Sequence, residues 1–180
     1  MAARIATALG VDKNAVVNVS ELTPEMISGS EALILGSATW GCGELQDDWY
    51  DGIKLIQNAD LNGKIVALFG CGDSESYGDT FCDAIGLLYQ EVKDKGCTIA
   101  GCGVSAAGYL HTDSAALDAD GNFVGLALDD INQPELTDSR IAEWAEKVKP
   151  YLKSVRSASV MGFSSRVSVA IFRLLTGVFT

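Results

Sequence analysis

Two short apolar runs dominate the hydrophobic pattern, at residues 31–36 (EALILG) and 64–70 (KIVALFG). Neither alternates with polar positions, and near-continuous apolar strands of this kind are buried on both faces, as in a parallel sheet covered by helices. Residues 15–19 add a short β-branched run, 98–104 a further strand, and 122–128 (NFVGLAL) another after a polar interruption. Between them the pattern changes to a helical period. Residues 47–57 carry Trp49, Ile53 and Ile56, and residues 79–94 carry Phe81, Ala84, Ile85, Leu88 and Val92 on one stripe. Residues 1–10 read as the end of a helix, with Gly10 where a left-handed glycine closes helices. Thr137 is placed to cap a last helix to about residue 152, carrying Ile141, Trp144, Ala145, Val148 and Leu152. Alternating strands and helices predict an α/β fold, an open doubly wound parallel sheet.

Composition narrows what such a sheet can serve. The 180 residues fit one domain with a sizeable core. A formal net charge of −11 repels nucleic acid and anionic membranes and attracts basic partners. The five cysteines, Cys42, Cys71, Cys82, Cys97 and Cys102, form no CxxC or Cys/His cluster, and His111 is the only histidine. A zinc site or a Ser-His-Asp triad has almost no material. An odd count with no secretory signal fits reduced thiols, hence a cytoplasmic or plastid-stroma setting. No run reaches the ~18 apolar residues of a membrane span.

In doubly wound sheets ligands bind beyond the carboxyl ends of the strands. Two segments there stand out. The first follows EALILG and places Trp40 among Thr39, Gly41, Cys42 and Gly43; the second follows KIVALFG and runs from Cys71 through Gly72, Asp73 and Tyr77 to Thr80 and Phe81. One stray surface aromatic needs no explanation. Two, on loops at consecutive strand ends and flanked by glycines, can sandwich a flat ring while backbone groups reach its edge.

These segments resemble the flavodoxin family, specifically its long-chain branch. TWGCGELQDDW (39–49) is similar to the family's first flavin loop and FGCGDSESYGDTFCDAIG (69–86) to its second. FVGLALDDINQPELTDSRI (123–141) is similar to its last strand and the start of its last helix, and 105–121 to the insertion of the long-chain branch. The resemblance covers about residues 2–152. It implies a flavodoxin-like sheet of order 2-1-3-4-5, with flavin mononucleotide (FMN) as cofactor and no catalytic residues or metal. Trp40 and Tyr77 would stack on the two faces of the flavin ring. Thr39, Gly41, Cys42 and Gly43 would line the first loop, with the Gly41–Cys42 peptide at the ring edge. Cys71, Gly72 and Asp73 would offer backbone contacts to its pyrimidine edge, and Thr80 and Cys82 would lie near it. The implied function is one-electron transfer between larger redox enzymes with basic faces, by a monomer. A flavin-dependent quinone reductase and a remnant unable to bind FMN are the alternatives.

One departure is conspicuous. Family members begin with a strand and a (S/T)-x-T-G-x-T loop that holds the FMN phosphate, whereas Met1 here falls inside the helix that follows. The first strand is therefore expected to be missing or replaced, giving a domain over 1–153 and an atypical tail over 154–180. In the tail, 167–172 reads as a strand, and Thr176, Gly177 and Thr180 loosely resemble the phosphate loop. The simplest expectation is a shortened start with an unrelated tail. A tail docked as the missing strand and an amphipathic surface helix are the other two.

Overall fold

The apolar runs fold as β2 (Ala32–Trp40) and β4 (Ile65–Cys71), which pair in parallel register from Ala32↔Ile65 to Ala38↔Cys71. Successive side chains of a strand point to opposite faces, and both faces are filled. Ala32, Ile34, Ala67 and Phe69 join one core; Leu33, Leu35, Val66 and Leu68 join the other. The first core is closed by α1 (Ala2–Leu9) and α5 (Thr137–Val160), through Ile5 and Leu9 against Ile141, Trp144 and Val148. The second is closed by α2 (Pro24–Gly29), α3 (Trp49–Asn58) and α4 (Asp83–Val92), through Ile27, Trp49, Ile56, Ile85 and Leu88. This is the doubly wound arrangement the alternation predicts.

The computed structural model describes residues 1–160 and 169–173. The remaining strands are β1 (Val16–Asn18), β3 (Glu44–Leu45), β5 (Thr98–Ala100), β6 (Leu126–Leu128) and β7 (Val169–Arg173). Among the described residues the sheet order is β1-β7-β2-β4-β5, with β3 pairing β2 and β6 pairing β4. Four expectations change in detail. The strand expected over 98–104 stops at Ala100, and that expected over 122–128 is reduced to Leu126–Leu128, because the two share one edge of β4. Thr98–Ala100 pairs with Ile65–Ala67, and Leu126–Leu128 with Phe69–Cys71. The long-chain insertion enters at the break, where Val104 and Leu117 each bridge Phe123. Thr137 does not cap α5 through its side chain: its hydroxyl donates to Asp130 Oδ1 at 2.7 Å, and a short 3-10 turn, Pro134–Leu136, leads into the helix. Finally, α5 runs on to Val160 through Pro150.

The tail strand occupies a central place. β7 lies between β1 and β2 and is parallel to both. Thr176, Gly177 and Thr180 lie outside the described residues.

Candidate functional site at the carboxyl edge of the sheet

Parallel register brings three strand ends side by side: Ala38 of β2, Cys71 of β4 and Leu128 of β6. The loops they carry form the site. The first is a hairpin, with β2 running to Trp40 and turning back through β3, so that Thr39 faces Leu45 and Trp40 faces Glu44. The Gly43 N–H closes it on the Trp40 carbonyl at 3.2 Å. Gly41 sits at φ +53° and Gly43 at φ +94°, a region that glycine enters without Cβ strain. Trp40 is left 37% exposed at the tip, beside exposed Cys42. Thr39 Oγ1 accepts from the Ala84 N–H at 3.2 Å, tying the hairpin to the start of α4.

The second loop leaves β4 beside it. Asp73 Oδ1 accepts from the N–H groups of Glu75 (3.1 Å) and Ser76 (2.8 Å), which turns the chain so that Tyr77 emerges 55% exposed. The two loops abut: a Cβ on Gly43 would lie 2.6 Å from Asp83 Oδ2 and 3.3 Å from Thr80 Cγ2. The insertion braces the second loop from outside, where the Gly78 carbonyl accepts from Thr112 (2.7 Å) and Asp113 (3.1 Å).

Ten of the eleven residues singled out in the sequence therefore sit on these two neighbouring loops or on the strand ends that carry them, Thr39 and Trp40 closing β2 and Cys71 closing β4. Cys82 does not reach the mouth. It is fully buried in the α3/α4 core, with a left-handed backbone (φ +58°) at the entry of α4. Gly72 also differs from expectation. Its N–H is committed to the Leu128 carbonyl at 3.0 Å, leaving only its carbonyl for another partner.

Two of these thiols, Cys71 and Cys82, are held protonated by burial. Burial pushes Cys71 up to about 11, opposed by the chain's amino terminus and reinforced by Asp130 and Asp129. Burial likewise drives Cys82 well above its ordinary value. Both stay protonated at neutral pH, and a protonated thiol neither attacks nor binds metal well. Among the described residues no cluster of three or more His, Cys, Asp or Glu could hold a metal ion.

The sequence reading missed what holds the second loop in place. Asp129, one residue beyond β6, is fully buried. Its Oδ2 accepts from the Ser74 hydroxyl (2.6 Å) and N–H (3.1 Å), and its Oδ1 from the Asn132 N–H (3.1 Å). The Asn132 side-chain amide donates to Asp129 (3.0 Å) and also to Asp73 Oδ1 (2.8 Å). Burial alone would raise the Asp129 carboxyl; the hydrogen bonds from Ser74 and Asn132 outweigh it and hold it below its ordinary value. Asp73 is lowered by the same balance, with Ser76 and Asn132 as donors. The only signal in the sequence was the acidic pair ending the LAL run.

An open α/β sheet with two glycine-flanked aromatics at its carboxyl edge is the architecture in which such folds take flat ligands. The comparisons agree with that class and sharpen it. The flavodoxin family profile matches residues 1–144. Flavodoxin 1 of Salmonella typhimurium is 42% identical over 144 residues, covering 80% of this chain and 81% of that protein. The flavodoxin of Trichodesmium erythraeum is 44% identical over 143 residues, covering 78% and 81%. The crystal structure of Fusobacterium nucleatum flavodoxin bound to flavin mononucleotide superposes with a TM-score of 0.75 at 34% identity, covering 82% of this chain and 87% of that one. The chain belongs to the flavodoxin family.

Proposed function

We propose that this chain binds FMN between Trp40 and Tyr77 and carries single electrons between redox enzymes. The observation that carries this reading is the pair of exposed aromatics, Trp40 at the tip of β2 and Tyr77 on the loop after β4, at neighbouring strand ends. The residues fit the cofactor. An isoalloxazine ring has two apolar faces, which Trp40 and Tyr77 suit, and a polar edge, which backbone groups suit. The Gly41–Cys42 peptide lies in a tight turn whose glycine has positive φ, so it can approach a ring edge without a side chain in the way. The carbonyls of Cys71, Gly72 and Asp73 would be the acceptors available to the pyrimidine N–H, and Thr39, Gly43 and Thr80 would shape the space between the loops. FMN, when bound, supplies the redox couple, and the protein tunes it through stacking and nearby charge.

A carrier needs its ring covered but its edge open. Tyr77, stacked on a bound flavin, would take the room that a quinone reductase keeps for its second substrate, which favours a carrier over an enzyme. Among the described residues no helix is long and apolar enough to cross a membrane. Five unpaired cysteines suit a reducing compartment such as a cytoplasm or plastid stroma.

The visible absorption of the purified chain, with its FMN stoichiometry, tests the cofactor directly. Trp40→Ala removes stacking worth about 1 kcal/mol beyond simple burial, so FMN affinity should fall by roughly several-fold or more. Unchanged affinity in a titration followed by flavin fluorescence removes Trp40 from the site.

The partner reading rests on charge. Glu44, Asp47, Glu75 and Asp79 are exposed on or beside the two loops, with Asp48 and Asp73 half-buried among them, on a chain of net charge −11. Steering toward a basic face weakens as the Debye length shrinks from about 10 Å at 0.1 M salt to about 3 Å at 1 M. Second-order electron-transfer rates should therefore drop steeply with added salt, and a rate independent of ionic strength would argue against an acidic docking face.

A further inference from the structure

We infer that β7 is the switch-point strand of this sheet, and that holding FMN requires the C-terminal tail to be docked there. The flavodoxin-like order is 2-1-3-4-5, with the mononucleotide outside the carboxyl ends of the strands at positions 1 and 3. Here the order is β1-β7-β2-β4-β5. The strand at position 1 is supplied from the C-terminal side of the chain, after α5.

Two ladders hold it. On one side Val169, Ala170, Ile171 and Phe172 match Ala32, Leu33, Ile34 and Leu35 of β2. On the other, Ile171, Phe172 and Arg173 match Val16, Val17 and Asn18 of β1. Leu33, Ile34 and Leu35 are at most 1% exposed, so without β7 one side of their backbone would lose its partners in a buried setting. Among the described residues β1 pairs with β7 alone, so β7 is also what joins it to the sheet. The parallel direction fixes where the chain emerges. Phe172 is level with Leu35, so β7 ends at the edge where β2 continues through Gly36 into the Trp40 hairpin. α1 lies against β7 and begins at that same edge, where Arg4 Nη1 reaches Asp130 Oδ1 at 3.3 Å, just past the end of β6.

A ligand that binds only the docked form must stabilise docking, and docking must in turn strengthen the ligand. This linkage rests on the FMN reading; the docking itself does not. Hydrogen–deuterium exchange on the unmodified full chain reads both. Amides of 169–173 should exchange as slowly as those of β4, and saturating FMN should slow them further by about tenfold or more. Ile171 is paired on both sides, so Ile171→Pro removes an N–H that the sheet uses and should raise the FMN dissociation constant by about tenfold or more. If that variant does not fold, exchange in the unmodified chain still decides. Exchange of 169–173 at the rate of a free peptide overturns the inference. So does protection found only in a dimer, or unchanged FMN affinity in a folded Ile171→Pro chain. A chain that takes up no FMN overturns the cofactor reading and the linkage with it, while protection of 169–173 would still establish the docked strand.

Discussion

Gly36→Ala is expected to destabilise the chain by about 3 kcal/mol, near the upper end for adding a methyl group to a packed core. Gly36 pairs with Phe69 across the β2–β4 ladder. A Cβ built on it falls within the Phe69 ring, against Cε1, Cζ and Cε2. Phe69 is 4% exposed, packed in the core that α1 and α5 close. The strand cannot yield either, because the Gly36 carbonyl accepts the buried Trp49 Nε1–H at 3.0 Å. A urea titration should show a lower midpoint with an unchanged slope, the mark of lost stability rather than altered compactness. Phe69→Leu alone should cost about 1 kcal/mol as a near-conservative apolar change. Combined with Gly36→Ala it should cost less than the sum of the two, because the smaller side chain leaves room for the methyl. Such coupling between touching residues amounts to about 0.5–3 kcal/mol. Simple additivity would mean that ring and methyl do not compete for the same space.

The central pair of strands was legible because Ala32–Leu35 of β2 and Ile65–Phe69 of β4 are apolar without alternation, a pattern that only burial on two faces explains. The loops after them were legible because Trp40 and Tyr77 stand out among glycines. The rest of the edge was not. β3 is two residues long and exists only because Gly41 and Gly43 fold the chain back; no periodicity can announce it. β5 and β6 are three residues each, and what makes them strands is their pairing with successive halves of β4 across the insertion, a tertiary fact. A strand-like run was visible in the tail, but nothing in its residues says that it enters the middle of the sheet. The inward turn of Cys82 was hidden for a related reason: its left-handed backbone is imposed by the loop around it. Polar networks are hardest of all, since Asp129 and Ser74 are 55 residues apart and only the fold makes them neighbours.

That network sets the last expectation, that Asp129→Ala costs about 3 kcal/mol or more and also loosens the second loop. Hydrogen bonds to a charged acceptor are worth about 1.5–3 kcal/mol each, and stranding their buried donors adds desolvation cost. Here the Ser74 hydroxyl and N–H and the Asn132 N–H would all lose their acceptor; the Asn132 amide would keep only Asp73. Because Ser74 and Asp73 begin the turn that presents Tyr77, FMN affinity should fall along with stability. Asp129→Asn keeps the shape and one acceptor and should fall between the two. Acidity separates the charge from the shape. The folded carboxyl lies below its ordinary value of 3.8, so its contribution is complete well above that value and is lost as the pH falls through the folded pKa. The stability gap between the unmodified chain and Asp129→Asn should therefore be constant near neutrality and shrink at pH values below about 4. Urea midpoints for both proteins at about pH 7 and about pH 3, on either side of the ordinary carboxylate value, measure this. A gap of the same size at both would mean that Asp129 contributes its shape and not its charge.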